Sequence, residues 1–397
     1  MICEKNKCTG CFACFNICPK KAIEMIEDDN GFIYPQINKE KCVDCGLCKK
    51  VCPALNKPET HEPKKCYAMQ AKDSEKLKNS TSGGAATIFS EFILNNSGVV
   101  YGSAFEKGFK INHIRIDRIE ELEKIKGSKY VHSYINDIFS QVKKDLTNGK
   151  KVLFTGTPCQ VAGLKRYLMK EYENLYCIDI ICHGVPSQRY LKDELAKDIK
   201  VEKISSLKFR KDDEFKIIAK TNDSILKIMD LEESMYYSGF MDGFFYRENC
   251  YNCIFANSKR VSDITIGDFW GIHEDCKLYK NKQKGLSVIL PITEKGITLI
   301  EECKNNMLLE ERKIEEAING NSQLNNPTKM NKNYYKFKKT YVKKGFFKSY
   351  RKHRIFNIIK KQIKNKIKNN RFIYKIYTRL KGCIKKWKEE KSYYQIQ

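Results

Sequence analysis

A pattern of cysteines that occurs twice near the N-terminus constrains this chain more than any other feature. The pattern C-x2-C-x2-C-x3-C-P begins at Cys8 and begins again at Cys42. In such runs three thiolates surround one face of a 4Fe-4S cluster, and the fourth reaches the other cluster. We therefore expect two clusters. The first ferredoxin set is Cys8, Cys11, Cys14 and Cys52, and the second ferredoxin set is Cys42, Cys45, Cys48 and Cys18.

A zinc-binding cysteine cluster is the alternative interpretation of these eight residues. The duplicated spacing argues against zinc, because eight cysteines in this arrangement are a very specific signal for two clusters. Gly10 and Gly46 lie beside ligands, where a small residue lets the backbone approach a cluster. Cys3 lies outside the pattern, and we expect it to be a free thiol.

The cysteines and the N-terminus also indicate the compartment. Eighteen Cys in a chain without a signal peptide argue for metal binding or redox work rather than disulfides. Cys3 and Cys8 stand where the apolar region of a signal peptide would lie. No run reaches the roughly 18 apolar residues of a spanning helix. We expect a cytoplasmic protein, with the inner membrane face as a second location if the C-terminal segment binds lipid.

Four segments can be distinguished along the 397 residues, of which 41% are apolar, enough for a sizeable core. Two prolines and several charges mark the short second segment as a linker. The predicted segments are a two-cluster ferredoxin domain at 1–56, the linker at 57–65, an α/β domain at 66–320 and a basic tail at 328–397.

The long third segment alternates strand-like and helix-like patterns, which predicts an α/β sheet with parallel strands. Thr157 and Pro158 suit the cap and first position of a helix that follows the strand at 152–155. Residues 215–229 instead predict a two-stranded hairpin that turns at Asn222-Asp223. The other predicted strands are 99–104, 175–181, 264–267 and 286–291, and the predicted helices begin after Ser82-Gly83-Gly84, at 159 and at Ser187.

Several unusual strings follow the ferredoxin repeat in a fixed order. They are Ser82-Gly83-Gly84-Ala85-Ala86-Thr87, Gly127-Ser128-Lys129-Tyr130-Val131, Thr155-Gly156-Thr157-Pro158-Cys159-Gln160, Cys182-His183-Gly184-Val185-Pro186, Cys250-x2-Cys253 and Gly267-Asp268-Phe269-Trp270-Gly271. Together they resemble the beta subunits of coenzyme F420 hydrogenase/dehydrogenase, a family similar to F420-linked formate dehydrogenase beta subunits and chlorophyllide 7-hydroxymethyl reductase. The resemblance covers residues 1 to about 300 and not the tail.

The resemblance implies a fold and a set of cofactors. The expected fold class is an α+β ferredoxin-like two-cluster domain, then a non-Rossmann α/β flavoprotein domain, then a C-terminal basic helical tail. The implied cofactors are FAD and a further 4Fe-4S cluster near the flavin, beside the two ferredoxin clusters. The usual G-x-G-x-x-G dinucleotide fingerprint does not occur in the sequence.

Phosphate binding must therefore use other helix N-termini. Ser82, Gly83 and Gly84 form one candidate, because glycines let backbone N–H groups approach an anion where the helix dipole favours it. Gly156 and Thr157, at the next helix start, form another, and ordinary helix capping is the alternative for both.

Two further residues are candidates for the flavin environment. Lys129 would place a positive charge near the flavin pyrimidine, unless it is a solvated loop lysine. Asp268 follows a predicted strand and would line the flavin or substrate pocket together with Trp270, unless the pair is a capped Asp beside a packed Trp.

Four more cysteines are candidates for a third cluster. Cys159 and Cys182 each follow a predicted strand, and ligands gather at the carboxyl ends of parallel strands. Cys250 and Cys253 supply a local pair, so the four make a complete set of soft ligands, which we call the body set. Cys66 is a possible substitute, and a zinc ion or no ligand is the alternative. His183 beside Cys182 is either a proton donor or a structural histidine.

The basic tail carries most of the net charge of +26. Residues 328–397 hold 24 Lys and Arg against only Glu389 and Glu390, which leaves the first 327 residues nearly neutral. Apolar residues at 355, 359, 363 and 367, and again from 373 to 387, give a basic amphipathic pattern. Such a pattern suits an anionic membrane surface. An acidic partner, a solvated helix and, as the weakest alternative, nucleic acid remain open.

These observations predict a flavin-dependent oxidoreductase. Electrons would pass between a small hydride donor or acceptor, either coenzyme F420 or another reducible compound, and a redox partner protein through FAD and the clusters. The alternative is a non-catalytic ferredoxin-type electron carrier or redox sensor. A nucleic-acid enzyme rests on the tail charge alone.

Overall fold

A computed structural model describes residues 2–211 and 214–369 of the chain. The strands are β1 Ile23–Glu27, β2 Ile33–Ile37, β3 Cys66–Ala71, β4 Val99–Glu106, β5 Lys110–Ile116, β6 Val152–Gly156, β7 Leu175–Ile180, β8 Ser206–Lys211, β9 Glu214–Lys220, β10 Ile225–Asp230, β11 Ile264–Asp268, β12 Ser287–Pro291 and β13 Met307–Arg312. The helices are α1 Ala13–Ile17, α2 Leu47–Lys50, α3 Ser74–Lys78, α4 Ala85–Asn95, α5 Leu122–Ile125, α6 Ile138–Thr147, α7 Pro158–Leu168, α8 Gln188–Ala196, α9 Met235–Met241, α10 Glu294–Cys303, α11 Ile314–Gly320 and α12 Tyr334–Asn369.

An eight-stranded sheet forms the centre of the molecule, in the order β13-β3-β12-β11-β7-β6-β4-β5. The pairs β4·β6, β6·β7 and β7·β11 are parallel, as the alternating pattern predicts. The flanking pairs are antiparallel, so the expected parallel sheet is correct only for the four central strands. The reason at one edge is local, because β5 follows β4 after a turn too short for a crossover helix.

Helix α7 shows how the sequence sets the local structure beside the central strands. Pro158 occupies its first position, and the Thr157 N–H donates to Gln160 Oε1 at 3.0 Å, which closes a capping box. Strand β6 before it is buried at Val152, Leu153 and Phe154. The strand therefore runs through the core, and the start of α7 lies at its carboxyl end.

A separate sheet covers one side of the molecule. Its order is β10-β9-β8, and both pairings are antiparallel. The hairpin predicted around Asn222-Asp223 is present as β9 and β10, but β8 adds a third strand. The two-stranded expectation is wrong on this point, because 206–211 alternates apolar and charged residues in a pattern typical of a half-buried strand.

The N-terminal segment packs directly onto the rest of the chain. Strands β1 and β2 form an antiparallel hairpin whose Phe32 and Tyr34 join a core cluster with Tyr190 of α8. The segment at 57–65, predicted as a linker, is also attached, since His61 forms a bridge with Arg260. These contacts fix the N-terminal cysteine repeat against the α/β domain that carries the later cysteines.

The segment predicted as a basic tail begins with residues that belong to the core. Helix α12 is kinked at Gly345, and aromatic side chains before and after the kink are buried against α8 and α9. These side chains are Tyr334, Phe337, Tyr341, Phe346 and Tyr350. Residues 370–397, which include the predicted amphipathic positions 373–387, lie outside the described residues. Within the described part, no helix is long and apolar enough to span a membrane.

Candidate functional site

The first ferredoxin set surrounds a small cavity. Cys8, Cys11, Cys14 and Cys52 all line it, so the cysteine that ends the second run does reach the first. Cys3 lines the same cavity, although the spacing placed it outside the pattern. Its hydrogen bonds hold the pKa of the Cys8 and Cys52 thiols below their usual range. The fifth thiol was missed because it has no place in the repeat.

The second ferredoxin set lies closer to the surface. Burial raises the pKa of the Cys48 thiol, and the neighbouring charges of Cys45 and Cys18 raise it further. Cys18 is therefore near enough to the second run to interact with Cys48. Cys42 lies 3.6 Å from Asp44 Oδ1, and Cys45 is exposed.

The body set converges from three separate segments. Cys159 is the second residue of α7, and Cys182 follows β7. Cys250 lies in a short 3-10 helix, Glu248–Asn252, and Cys253 is the residue after it. Burial is the largest cause that raises the pKa of Cys159, and the charges of Cys253 and Cys182 add to it. Cys250 in turn interacts with all three of the others. Cys66 lies elsewhere, in a core cluster near Arg312 and Glu316, so the structure does not favour it as a substitute.

The body set adjoins the first ferredoxin set. Burial is the main cause that raises the pKa of the Cys11 thiol, and the charge of Cys159 also raises it. A Cβ at Gly163 of α7 would lie 3.0 Å from Cys11 Sγ, so only glycine allows α7 to approach this closely. The thiols of the first ferredoxin set surround a space. No group of three His, Cys, Asp or Glu side chains in the described ranges is arranged to hold a single metal ion.

A cavity of about 410 Å³ opens at the carboxyl ends of β6, β7 and β11. This volume lies in the range of about 300–1,000 Å³ that is typical of small-molecule and cofactor sites. Six of the seven residues predicted to bind a cofactor line the cavity, namely Ser82, Gly84, Lys129, Gly156, Thr157 and Asp268. Gly83 lies behind this wall, where its carbonyl accepts from the Ala71 N–H at 2.7 Å.

The N-terminus of α4 is the stronger of the two phosphate candidates. Gly84 caps the helix at φ +93° without a side-chain acceptor, so the first N–H groups of α4 have no capping partner. Residues 84–87 line the cavity, and hydroxyls of Ser80, Thr81 and Ser82 surround the same end. This is the arrangement that binds an anion. The N-terminus of α7 is closed by its capping box, so ordinary capping accounts for Gly156 and Thr157.

Lys129 lines the cavity with its amine tied to the backbone. Its Nζ donates to the Lys126 carbonyl at 2.7 Å and to the Ile125 carbonyl at 3.0 Å. Burial, with a smaller contribution from the charge of Lys208, lowers the pKa of Lys129 to about 7. The side chain is therefore fixed at the end of α5 rather than solvated in a loop.

Asp268 is paired with an arginine that the sequence did not indicate. Arg210 Nη2 lies 3.1 Å from Asp268 Oδ2, and its Nη1 donates to Asp268 Oδ1 at 3.2 Å and to the Thr81 carbonyl. The Arg210 guanidinium also lies 4.3 Å from the Phe215 ring centre. Strand β8 thus brings a cation from the separate sheet to the wall of the cavity. Only a correct strand prediction at 206–211 would have found it.

Two more polar residues of the wall escaped the sequence patterns. His113 contacts Ser133 Oγ at 2.9 Å through Nδ1 and the Thr155 carbonyl at 3.0 Å through Nε2, and burial lowers its pKa to about 4. Ser103 Oγ is buried without a hydrogen-bond partner. Since both residues line the cavity, an unsatisfied hydroxyl faces a site for a polar ligand. His183 and the largely exposed Trp270 line it as well.

This donor set fits a flavin nucleotide. An uncapped helix start, a group of hydroxyls, an unpartnered serine and apolar walls are what a planar ring with an anionic tail requires. Thr157 joins this cavity to the body set, because its Oγ1 lies 3.2 Å from Cys159 Sγ. The two sites therefore share a wall.

Comparison with known proteins gives two family matches and a similarity to a solved structure. Residues 149–317 match the family described as the C terminus of the coenzyme F420 hydrogenase/dehydrogenase beta subunit, and residues 7–56 match the 4Fe-4S dicluster domain. A chain of the F420-reducing nickel–iron hydrogenase complex from Methanosarcina barkeri is 16% identical with a TM-score of 0.43, covering 73% of this chain and 90% of that one. The family matches confirm the resemblance and the 4Fe-4S domain, and they support an iron–sulfur oxidoreductase.

Proposed function

Because residues 149–317 match the coenzyme F420 hydrogenase/dehydrogenase beta subunit family, we propose that this chain is an iron–sulfur flavoprotein. It would pass electrons between a small hydride-exchanging compound and a protein partner through FAD and three 4Fe-4S clusters. The family description names a beta subunit, which supports a partner protein. F420 and another reducible compound are both candidate substrates.

One observation carries this proposal above all others. Thr157 lines the 410 Å³ cavity, and its Oγ1 lies 3.2 Å from Cys159 Sγ of the body set. Cys11 of the first ferredoxin set interacts with the same Cys159. A ligand in the cavity would therefore lie beside a series of three thiol sets that ends near the surface at Cys45.

The residues of the cavity have distinct tasks in this proposal. The start of α4 at Gly84 would bind the anionic part of FAD. Arg210 holds Asp268 and the Thr81 carbonyl in place, and Lys129 supplies a fixed amine. Trp270 and His183 line the side on which a substrate would enter. When bound, flavin exchanges a hydride with a substrate and single electrons with iron–sulfur clusters.

The body set would hold the third cluster. Burial raises the pKa of Cys159 and of Cys182 to about 12, so these thiols stay protonated until a metal displaces the protons. Iron binding there should be coupled to proton release. We include Cys250 and Cys253 as the remaining ligands.

A non-catalytic electron carrier or redox sensor is the second candidate. It would use the dicluster domain alone, and the match at 7–56 is the observation in its favour. This candidate function assigns no ligand to the 410 Å³ cavity. It predicts about eight iron atoms per chain and no flavin, whereas the flavoprotein proposal predicts about twelve iron atoms and one FAD.

Cofactor content distinguishes the two candidates directly. The full chain is purified without oxygen, reconstituted with iron and sulfide, and assayed for iron, sulfide and flavin per chain. A panel of hydride donors, including reduced F420 and NADH, is then screened for bleaching of the flavin absorbance. A chain with two clusters, no flavin and no response to any donor would leave only the carrier.

The location and the tail complete the proposal. We propose that the protein works in the cytoplasm, and that the basic residues of 328–397 bring it to an anionic surface at the inner membrane face. Nucleic acid is the weaker partner, because the first 327 residues are nearly neutral.

A further inference from the structure

Arg247 is fully buried between the first ferredoxin set and the body set. Its Nε donates to the Cys8 carbonyl at 2.7 Å, and its Nη2 donates to the Ile33 carbonyl at 2.8 Å. The same Nη2 lies 3.5 Å from Cys8 Sγ. The guanidinium carbon lies 4.3 Å from the centre of the Tyr34 ring. The side chain therefore belongs to the ferredoxin side of the boundary.

The backbone of Arg247 belongs to the other side. Its N–H donates to the Val185 carbonyl at 2.8 Å, in the loop that follows Cys182. Its carbonyl accepts from the Cys250 N–H at 2.9 Å. One residue thus joins loops that carry ligands of the body set to the backbone at Cys8.

The charge of Arg247 has no carboxylate partner among residues 2–211 and 214–369. Its Nη1 is buried without a hydrogen bond and lies beside Gly10, whose Cβ would come within 3.0 Å of it. Arg260 is buried too, but Asp179 balances its charge at 3.0 Å. Burying an unbalanced cation is costly, so Arg247 needs negative charge from its surroundings. Cys8 Sγ, 3.5 Å from Nη2, is the sulfur that it contacts, and Cys250 and Cys159 of the body set also interact with its charge.

We propose that Arg247 is a positioning residue whose fixed charge raises the reduction potential of the clusters at the first ferredoxin set and the body set. The inference rests on the proposed clusters. Reduction by dithionite adds one electron to a 4Fe-4S cluster and makes it more negative, which a buried cation at this distance stabilises. The second ferredoxin set is nearer to solvent, which screens charges. Loss of the Arg247 charge should therefore shift the potential of the second ferredoxin set least.

The test compares three variants of the full chain after anaerobic reconstitution. Arg247→Met removes the charge and keeps much of the apolar stem, and Arg247→Lys keeps the charge but not the planar fork. Arg166→Met is the matched control, because Arg166 also donates to a ferredoxin-side carbonyl, that of Lys50, at 2.7 Å, but this bond is exposed to solvent. Reduction by dithionite is followed by electron paramagnetic resonance at controlled potentials.

Arg247→Met should make reduction of the affected clusters at least tenfold less favourable, which is about 59 mV for one electron. Arg247→Lys should shift them less, and Arg166→Met should shift none. Unchanged potentials in an Arg247→Met chain with full iron content would overturn the inference. If Arg247→Met fails to bind iron, Arg247→Lys decides: full iron with a smaller shift supports the role of charge, and loss of iron there too contradicts it. A wild-type chain without iron would instead defeat the proposed function.

Discussion

The second ferredoxin set and the body set each offer four thiols, but they are built in opposite ways. Three of the four cysteines in the second ferredoxin set lie within seven residues of sequence, and Cys45 is exposed. The body set draws on α7, on the end of β7 and on a loop more than 60 residues later, and burial dominates its pKa shifts. A site close to solvent suits exchange with a partner protein, and a buried site suits exchange with a ligand inside the chain.

The largest effect that tests this contrast is the loss of a whole cluster. Cys159→Ser should remove about four iron atoms per chain and leave the two ferredoxin clusters in place, because the two N-terminal runs supply all eight ligands of those clusters. Iron and sulfide assays measure this loss. Cys303→Ala, at a buried cysteine of α10, is the matched control and should keep the full iron content. Equal iron content in wild type and Cys159→Ser would contradict a third cluster at the body set.

The next effect concerns the cavity wall. Arg210→Met removes the ion pair with Asp268 and the bond to the Thr81 carbonyl, so FAD should bind about tenfold more weakly, or about 1.4 kcal/mol. Asp268→Asn should act in the same direction, and the double variant should lose less than the sum. Fluorescence titration with FAD measures both.

Lys227→Met provides the control for Arg210. Lys227 lies in β10 of the same separate sheet and forms a half-exposed ion pair with Asp198. Removal of this pair should leave FAD affinity unchanged. An equal loss of affinity in Lys227→Met would show that the sheet, rather than the Arg210–Asp268 pair, matters.

A smaller effect follows from His113, whose pKa burial lowers to about 4 from an ordinary value near 6.5. Between these values the unfolded chain binds the proton and the folded chain does not, so this part of the stability is present above pH 6.5 and lost as pH falls toward 4. Between pH 7.5 and 5.5 the wild type should lose about 1.4 kcal/mol through this residue.

Urea unfolding at the two pH values measures the loss. His113→Gln should reduce the pH dependence by that amount. The same pH dependence in wild type and His113→Gln would contradict a neutral, buried His113.

The smallest expected effect on the cofactors comes from the tail. Deleting 370–397 should leave iron and flavin content unchanged, because the ligands and the cavity all lie before that segment. Binding to phosphatidylcholine vesicles that contain phosphatidylglycerol should weaken, since eight of the 24 basic residues of the tail are removed. Sedimentation with the vesicles measures this binding. Unchanged sedimentation would show that residues before 370 bind the vesicles.

The sequence predicted most of what is local and little of what depends on distant contacts. The cysteine repeat, the cap at Thr157 and the four central strands follow from spacing, capping and buried runs. The third strand of the separate sheet was missed, and Arg210 with it. Arg247 was missed as well, because a single arginine after three aromatic residues carries no pattern that reveals full burial. The body set needed the rule on strand ends, since its members lie up to 94 positions apart.

The central claim is that the cavity and the three thiol sets form one path for electrons. The direct measurement mixes the loaded protein with the hydride donor that bleaches its flavin, freezes samples over time and records cluster signals by electron paramagnetic resonance. Wild type should show reduced ferredoxin clusters soon after the flavin bleaches, and Cys159→Ser should bleach without reducing them at a comparable rate. Ferredoxin clusters that stay oxidised in wild type would contradict the claim. Ferredoxin clusters that become reduced equally fast in Cys159→Ser would contradict it as well.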